Sequence, residues 1–90
     1  MILCCGEALI DMVPGATAAG ARAFVPRPGG AALNAAVALG RLGSEAGLFS
    51  ALSGDGLGAE LARHLGESGV DLSLCPRVSV PTTLAFPALS

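Results

Sequence analysis

The stretch Ala31–Leu42 is rich in alanine, free of proline, and bracketed by Gly29-Gly30 in front and Gly43 behind. Alanine is the best helix former, so this spacing predicts a helix over Ala31–Leu42. Gly43 falls where a left-handed residue closes many helices. Apolar residues cover almost the whole circumference, which predicts a largely buried helix. In a chain of 90 residues such a helix needs a sheet against it. The flanking sequence has to supply that sheet.

Met1–Ile10 reads as one buried strand, with Ile2, Leu3, Cys4 and Cys5 followed by Leu9 and Ile10 around Gly6. A continuous apolar run suits a central strand covered on both faces. Pro14–Arg22 is rich in Gly, Ala and Thr and reads as a loop or a short excursion, with a brief strand at Phe24-Val25 that Pro26 and Pro28 break. Ala46–Ser53 reads as a second strand. Gly54-Asp55-Gly56 then turns the chain into a second helix, on which Leu57, Leu61 and Leu65 form a buried stripe opposite Glu60, Arg63 and Glu67. Asp55 is placed to cap that helix and Gly69 to end it. Val70–Val80, interrupted by Pro76, and Leu84–Phe86 complete the strands. The alternation of strand and helix indicates an α/β layer architecture with a mainly parallel sheet.

Composition narrows the function classes. Ala and Gly make up about a third of the chain without a fixed period, which suits helices packed closely on a sheet. The net charge is −2 and the five arginines are scattered, so no basic cluster exists to bind nucleic acid. Cys4, Cys5 and Cys75 show no C-x-x-C spacing and read as buried, reduced, small apolar residues, as in the cytoplasm. The apolar start lacks a basic region and is interrupted by Glu7 and Asp11, so a signal peptide is not expected. No apolar run reaches the roughly 20 residues that span a bilayer. A soluble cytoplasmic protein without a membrane partner is the expectation.

Three groups of residues are candidates for chemistry. Paired glycines at a helix entry let a ligand approach bare backbone, whose free N–H groups donate to oxygen-rich ligands. Asn34 is the only polar side chain in the first two turns of the helix, and its amide both donates and accepts. A loop before a core helix, with Asn34 bonded to neighbouring backbone, fits the same residues. Gly54-x-Gly56-x-x-Ala59, with Asp71 downstream, fits a dinucleotide fingerprint. Against that reading, Asp55 would set a carboxylate where a pyrophosphate must sit. His64 lies near Glu60 and is assigned no chemistry.

Pro28 to Gly43, PGGAALNAAVALGRLG, resembles the N-terminal signature of the ribokinase, or PfkB, family of carbohydrate kinases. In the right order, GEALID at Gly6–Asp11, SGDGLG at Ser53–Gly58, GVD at Gly69–Asp71 and PTT at Pro81–Thr83 are also similar to that family, and GEALID looks most like its fructokinase branch. The resemblance implies a three-layer ribokinase-like fold of which residues 1–90 are an incomplete N-terminal portion, carrying the sugar-binding side and part of a β lid. It implies that Asp11, at the end of the first strand, and Gly29, Gly30 and Asn34 bind sugar hydroxyls. An ionised carboxylate accepts two hydroxyl protons, which suits a polyol. Ala31 stands where ribokinases often have Lys, so a ribose substrate is less well matched. Asp55 reads mainly as a structural cap, and Glu7 fits either the sugar site or an exposed sheet edge.

The activity implied is ATP-dependent phosphorylation of a sugar hydroxyl, with Mg²⁺, by the complete enzyme. Its catalytic base belongs to a glycine–aspartate motif expected beyond Ser90, so the segment by itself is expected to bind neither ATP nor metal, to be inactive, and to be marginally stable. Lid residues extending through Ser90 would leave exposed edges and, in the complete enzyme, offer a homodimer contact. A non-catalytic sugar-binding remnant and a dinucleotide-binding module are the alternatives.

Overall fold

A computed structural model describes residues 1–87 of the chain. The expected first strand divides at Gly6, whose φ of 153° takes the chain out of line. The pieces are β1 (Ile2–Cys5) and β2 (Leu9–Ala16), which belong to different sheets. After β3 (Arg22–Gly29) and helix α1 (Ala31–Arg41), β4 (Ala46–Phe49) returns parallel to β1, with Ile2 opposite Ala46 and Cys5 opposite Phe49. Helix α1 packs across this pair, giving the strand–helix–strand layer that the alternation indicated.

Within Pro14–Arg22 only Thr17–Ala21 is a turn, and the ends of the region lie in strands. β2 and β3 form an antiparallel hairpin, paired from Leu9–Gly29 to Ala16–Arg22 and closed by a turn at Thr17–Ala21. Pro26 and Pro28 do not break β3, because it is the edge of its sheet and a missing N–H facing outward costs no ladder bond. Pro14 lies in β2 beyond the short stretch that pairs on the other side, so it meets the same condition.

The remaining strands are short. Ala46–Ser53 is split into β4 and β5 (Leu52–Ser53), and β5 is followed by helix α2 (Gly56–Glu67). Val70–Val80 reduces to a bridge between Asp71 and Gly47 and to β6 (Arg77–Val78), parallel to β5. Strand β7 (Leu84–Ala85) pairs parallel with β2, Leu84 opposite Ile10 and Ala85 opposite Asp11. The expected lid residues Ala88–Ser90 lie outside the described residues.

Both helices end as expected. Gly43 and Gly69 take φ values of 86° and 78°. Each helix is closed by a paired set of bonds, Gly43 to Gly40 with Ser44 to Leu39, and Gly69 to Gly66 with Val70 to Leu65. This is the Schellman arrangement, which satisfies the last free carbonyls. Leu61 and Leu65 are fully buried and Leu57 half-buried, as the stripe required. They meet Ile10, Leu33, Ala36, Leu48 and Leu52 in one core. Helix α1 differs from expectation: Leu33, Ala36 and Val37 are buried, while Asn34, Ala35 and Ala38 are exposed. Alanine on an open face is cheap, so an alanine-rich circumference does not by itself require burial on all sides.

Candidate functional site

Asp11 stands third in β2 rather than at the end of the first strand, because the break at Gly6 places it in the hairpin sheet. Its backbone partners are Arg27 on β3 and Ala85 on β7. The side chain leans diagonally across β3 toward Gly29, the partner of Leu9 on the same face. A Cβ placed on Gly29 would fall inside the Asp11 carboxylate and lie 3.2 Å from Leu9 Cδ1. The carboxylate thus rests directly on the bare backbone of Gly29.

Gly30 forms the junction between β3 and α1. It is the residue before the helix, with φ 103° and ψ 138°, and no side chain caps the first turn. Left-handed backbone of this kind favours glycine. A Cβ here would strike the carbonyl oxygen of Glu7, so the chain after β1 passes against the helix entry. The Glu7 side chain is exposed. Asn34 lies one turn into α1, its backbone N–H bonded to the Gly30 carbonyl at 2.9 Å and its side chain open. Among the described residues, neither the Asp11 carboxylate nor the Asn34 amide has a protein hydrogen-bond partner. Asp11, Gly29 and Gly30 are therefore brought together, with Asn34 on the helix turn that follows them. The arrangement offers an anionic acceptor, an amide and uncapped N–H groups, a set suited to hydroxyls.

Beside these residues a cleft of about 610 Å³ is lined by Glu7, Ala8, Ser50, Ala51, Thr82 and Thr83, among others. It lies past the carboxyl ends of β1 and β4, where α/β sheets take their ligands. The cleft and the Asp11 cluster share the Glu7–Ala8 segment, while the four sequence-selected residues themselves stand outside the cleft wall.

The Asp55 turn is organised differently from a nucleotide loop. Asp55 Oδ1 accepts the Gly58 N–H at 2.7 Å, the cap expected at the start of α2. It also accepts the Thr82 hydroxyl at 2.6 Å, and Oδ2 accepts the Thr82 N–H at 2.9 Å. The Thr82 hydroxyl and amide, followed by the Gly58 amide, draw the Asp55 carboxyl down to about 2. A carboxylate already occupies the anion position at this helix entry, so a pyrophosphate has no seat there. Asp71, the other half of the fingerprint, accepts the N–H of Ser73 at 2.8 Å in a local turn. The tie between Asp55 and Thr82 is the feature that sequence reasoning missed. The SGDGLG and PTT segments were both visible, but nothing in their composition indicates contact across 27 positions.

Among the described residues no group of three or more His, Cys, Asp and Glu converges as a metal would need. No helix there is long and apolar enough to cross a membrane.

The sequence model of the pfkB family of carbohydrate kinases matches residues 1–89. A fructokinase from Rhizobium leguminosarum bv. trifolii is 49% identical over 86 residues, which are 96% of this chain and 26% of that protein. The crystal structure of a fructokinase from Xylella fastidiosa, also solved with bound ATP, superposes with a TM-score of 0.86 at 41% identity, covering 94% of this chain and 28% of that one. An uncharacterized sugar kinase from Pyrococcus horikoshii superposes at 0.83 with 32% identity, over 96% of this chain and 31% of the other. The chain spans about a quarter of the length of the curated relatives it matches.

Proposed function

This chain belongs to the pfkB family of carbohydrate kinases, and we propose that it forms the sugar-binding face of a fructokinase-like enzyme transferring a phosphoryl group from ATP to a sugar hydroxyl. The observation that carries the assignment is the Asp11 carboxylate, unpartnered among the described residues and set on the bare backbone of Gly29, beside the uncapped entry to α1. Asp11 accepts hydrogen bonds from two sugar hydroxyls. Gly29 and Gly30 let the ring approach the backbone without a Cβ in the way. Asn34 donates to one hydroxyl oxygen and accepts from another.

These residues orient the sugar and do not perform the transfer. Phosphoryl transfer depends on positioning and on charge stabilisation around the nucleotide. Both are assigned to the length of the family's chains that this segment does not span, together with the base that takes the hydroxyl proton. Mg²⁺ belongs with the nucleotide there, where it neutralises phosphate charge, and no residue described here is assigned to it. On this reading the 90-residue segment alone binds sugar weakly and turns over none. The half-exposed Phe24 on the hairpin, which meets the exposed Phe86 edge-on at 5.5 Å, supports a lid that also meets a second copy. A cytoplasmic location accords with three unpaired cysteines.

The test uses the full-length protein with fructose and Mg·ATP. Asp11→Asn and Asn34→Ala should each raise KM for the sugar by about tenfold or more while KM for ATP stays within about twofold, since each removes a hydrogen bond to the sugar alone. An unchanged sugar KM in both variants, or equal changes for sugar and ATP, would remove the assignment. A full-length protein that phosphorylates no sugar would remove the activity.

A further inference from the structure

Asp55 holds more donors than a helix cap requires. One carboxylate oxygen is enough to accept Gly58 N–H, yet both oxygens are engaged and two of the three donors come from Thr82, 27 residues away. Thr82 immediately precedes the residue that joins the hairpin sheet. The carbonyl of Thr83 accepts the Ile10 N–H at 3.0 Å, and Leu84 and Ala85 then pair with Ile10 and Asp11. Strand β7 is only two residues long, and a ladder that short does not fix its own register. We infer that Asp55 is a positioning residue for the sugar site, clamping Thr82 so that β7 is held in register on β2 and Asp11 is held over Gly29.

The inference rests on the proposed sugar-binding role of Asp11. The connection runs through consecutive bonds: Asp55 to Thr82, Thr83 to Ile10, and Ile10 to its neighbour Asp11. A second tie anchors the approach to this segment, since Gly54 N–H donates to Val78 at 2.8 Å and Arg77 Nε to Ser53 at 3.1 Å. That tie stops at Val78, four residues before Thr82; Phe86 meets Phe24 on the far side of β7, and on the near side the placement of β7 falls to Asp55.

The experiment separates capping from clamping in the full-length protein. Asp55→Ser keeps a good cap for Gly58, because serine is among the preferred residues there, but is too short to reach Thr82. Thr82→Val removes the hydroxyl and leaves the cap untouched. Both should speed amide hydrogen exchange at Ile10 and raise KM for the sugar about tenfold with KM for ATP unchanged, the scale of one weakened hydrogen bond to the sugar. Thr82→Ser, which restores the hydroxyl, should return both readouts toward the parent protein. Unchanged Ile10 exchange and sugar KM in Asp55→Ser and Thr82→Val would reduce Asp55 to a cap and overturn the inference. Asp11→Asn measured in parallel distinguishes the two failures. No effect of Asp11→Asn removes the sugar-binding role of Asp11 and this inference with it. A damaged Asp11→Asn beside intact Asp55→Ser and Thr82→Val sinks the inference alone.

Discussion

The carboxylate of Asp11 fills the space that a side chain on Gly29 would take, although the two residues are diagonal rather than direct partners on the hairpin. Glycine at position 29 therefore supports the placement of a charge. Gly29 lies outside the left-handed region, so alanine strains no backbone there. What must move is the end of the Asp11 side chain. Gly29→Ala in the full-length enzyme should lower sugar affinity by about tenfold, the scale of a displaced charge-assisted hydrogen bond, with little change in melting temperature. Sugar affinity at the parent level would show that the carboxylate does not need this seat.

Gly30→Ala should behave differently. Its φ of 103° disfavours any side chain, and the new methyl group meets the backbone carbonyl of Glu7 rather than a side chain that can rotate away. Thermal denaturation should show a loss of about 1–3 kcal/mol from backbone strain. A variant as stable as the parent would contradict this packing of the helix entry.

Two helix glycines offer a contrast in sign. A Cβ on Gly40 would run into the backbone carbonyl of Ser68, where α1 crosses the end of α2. Gly40→Ala should destabilise by about 1–3 kcal/mol as an overpacked contact. Gly66, in α2, has open space where its Cβ would be. Gly66→Ala should stabilise by about 0.4–1 kcal/mol by restricting the unfolded chain. Chemical denaturation of both variants checks the pair, and shifts of the same sign would refute it.

Asp55 has a pH signature. Its carboxyl is drawn from 3.8 down to about 2 by Thr82 and Gly58, so folding favours the charged form. Its stabilising contribution is fully present above 3.8 and is lost as pH falls toward about 2. The difference in melting temperature between the parent and Asp55→Ser should stay level from about pH 7 to about pH 5 and shrink below about pH 4. A difference that already closes above pH 5 would mean another group is responsible.

The cysteines should react unequally. Burial pushes the Cys75 thiol up, and its S–H donates to the Leu48 carbonyl at 3.2 Å, whereas Cys5 is exposed. At neutral pH, iodoacetamide followed by peptide mapping should label Cys5 at least about tenfold faster than Cys75, since only an accessible thiolate reacts. Comparable rates would count against the Cys75 environment.

Local chemistry made much of this protein legible. The alanine run bracketed by glycines determined α1 and its end at Gly43, and the four-residue leucine spacing determined which face of α2 is buried. The ordered segments around Asp11, Gly29-Gly30, Asn34 and Asp55 determined the family. These signals are short-range: propensity, period and capping act within a few residues, so the sequence expresses them directly. Tertiary pairing decided the rest. Pro26 and Pro28 suggested a broken strand and became an edge strand, because whether a proline costs a hydrogen bond depends on which side has a neighbour. Asp11 moved from the end of one strand to the middle of another once Gly6 turned the chain. Its seat on Gly29, and the clamp from Asp55 to Thr82, arise from register and from contact between distant segments, and no local pattern encodes either.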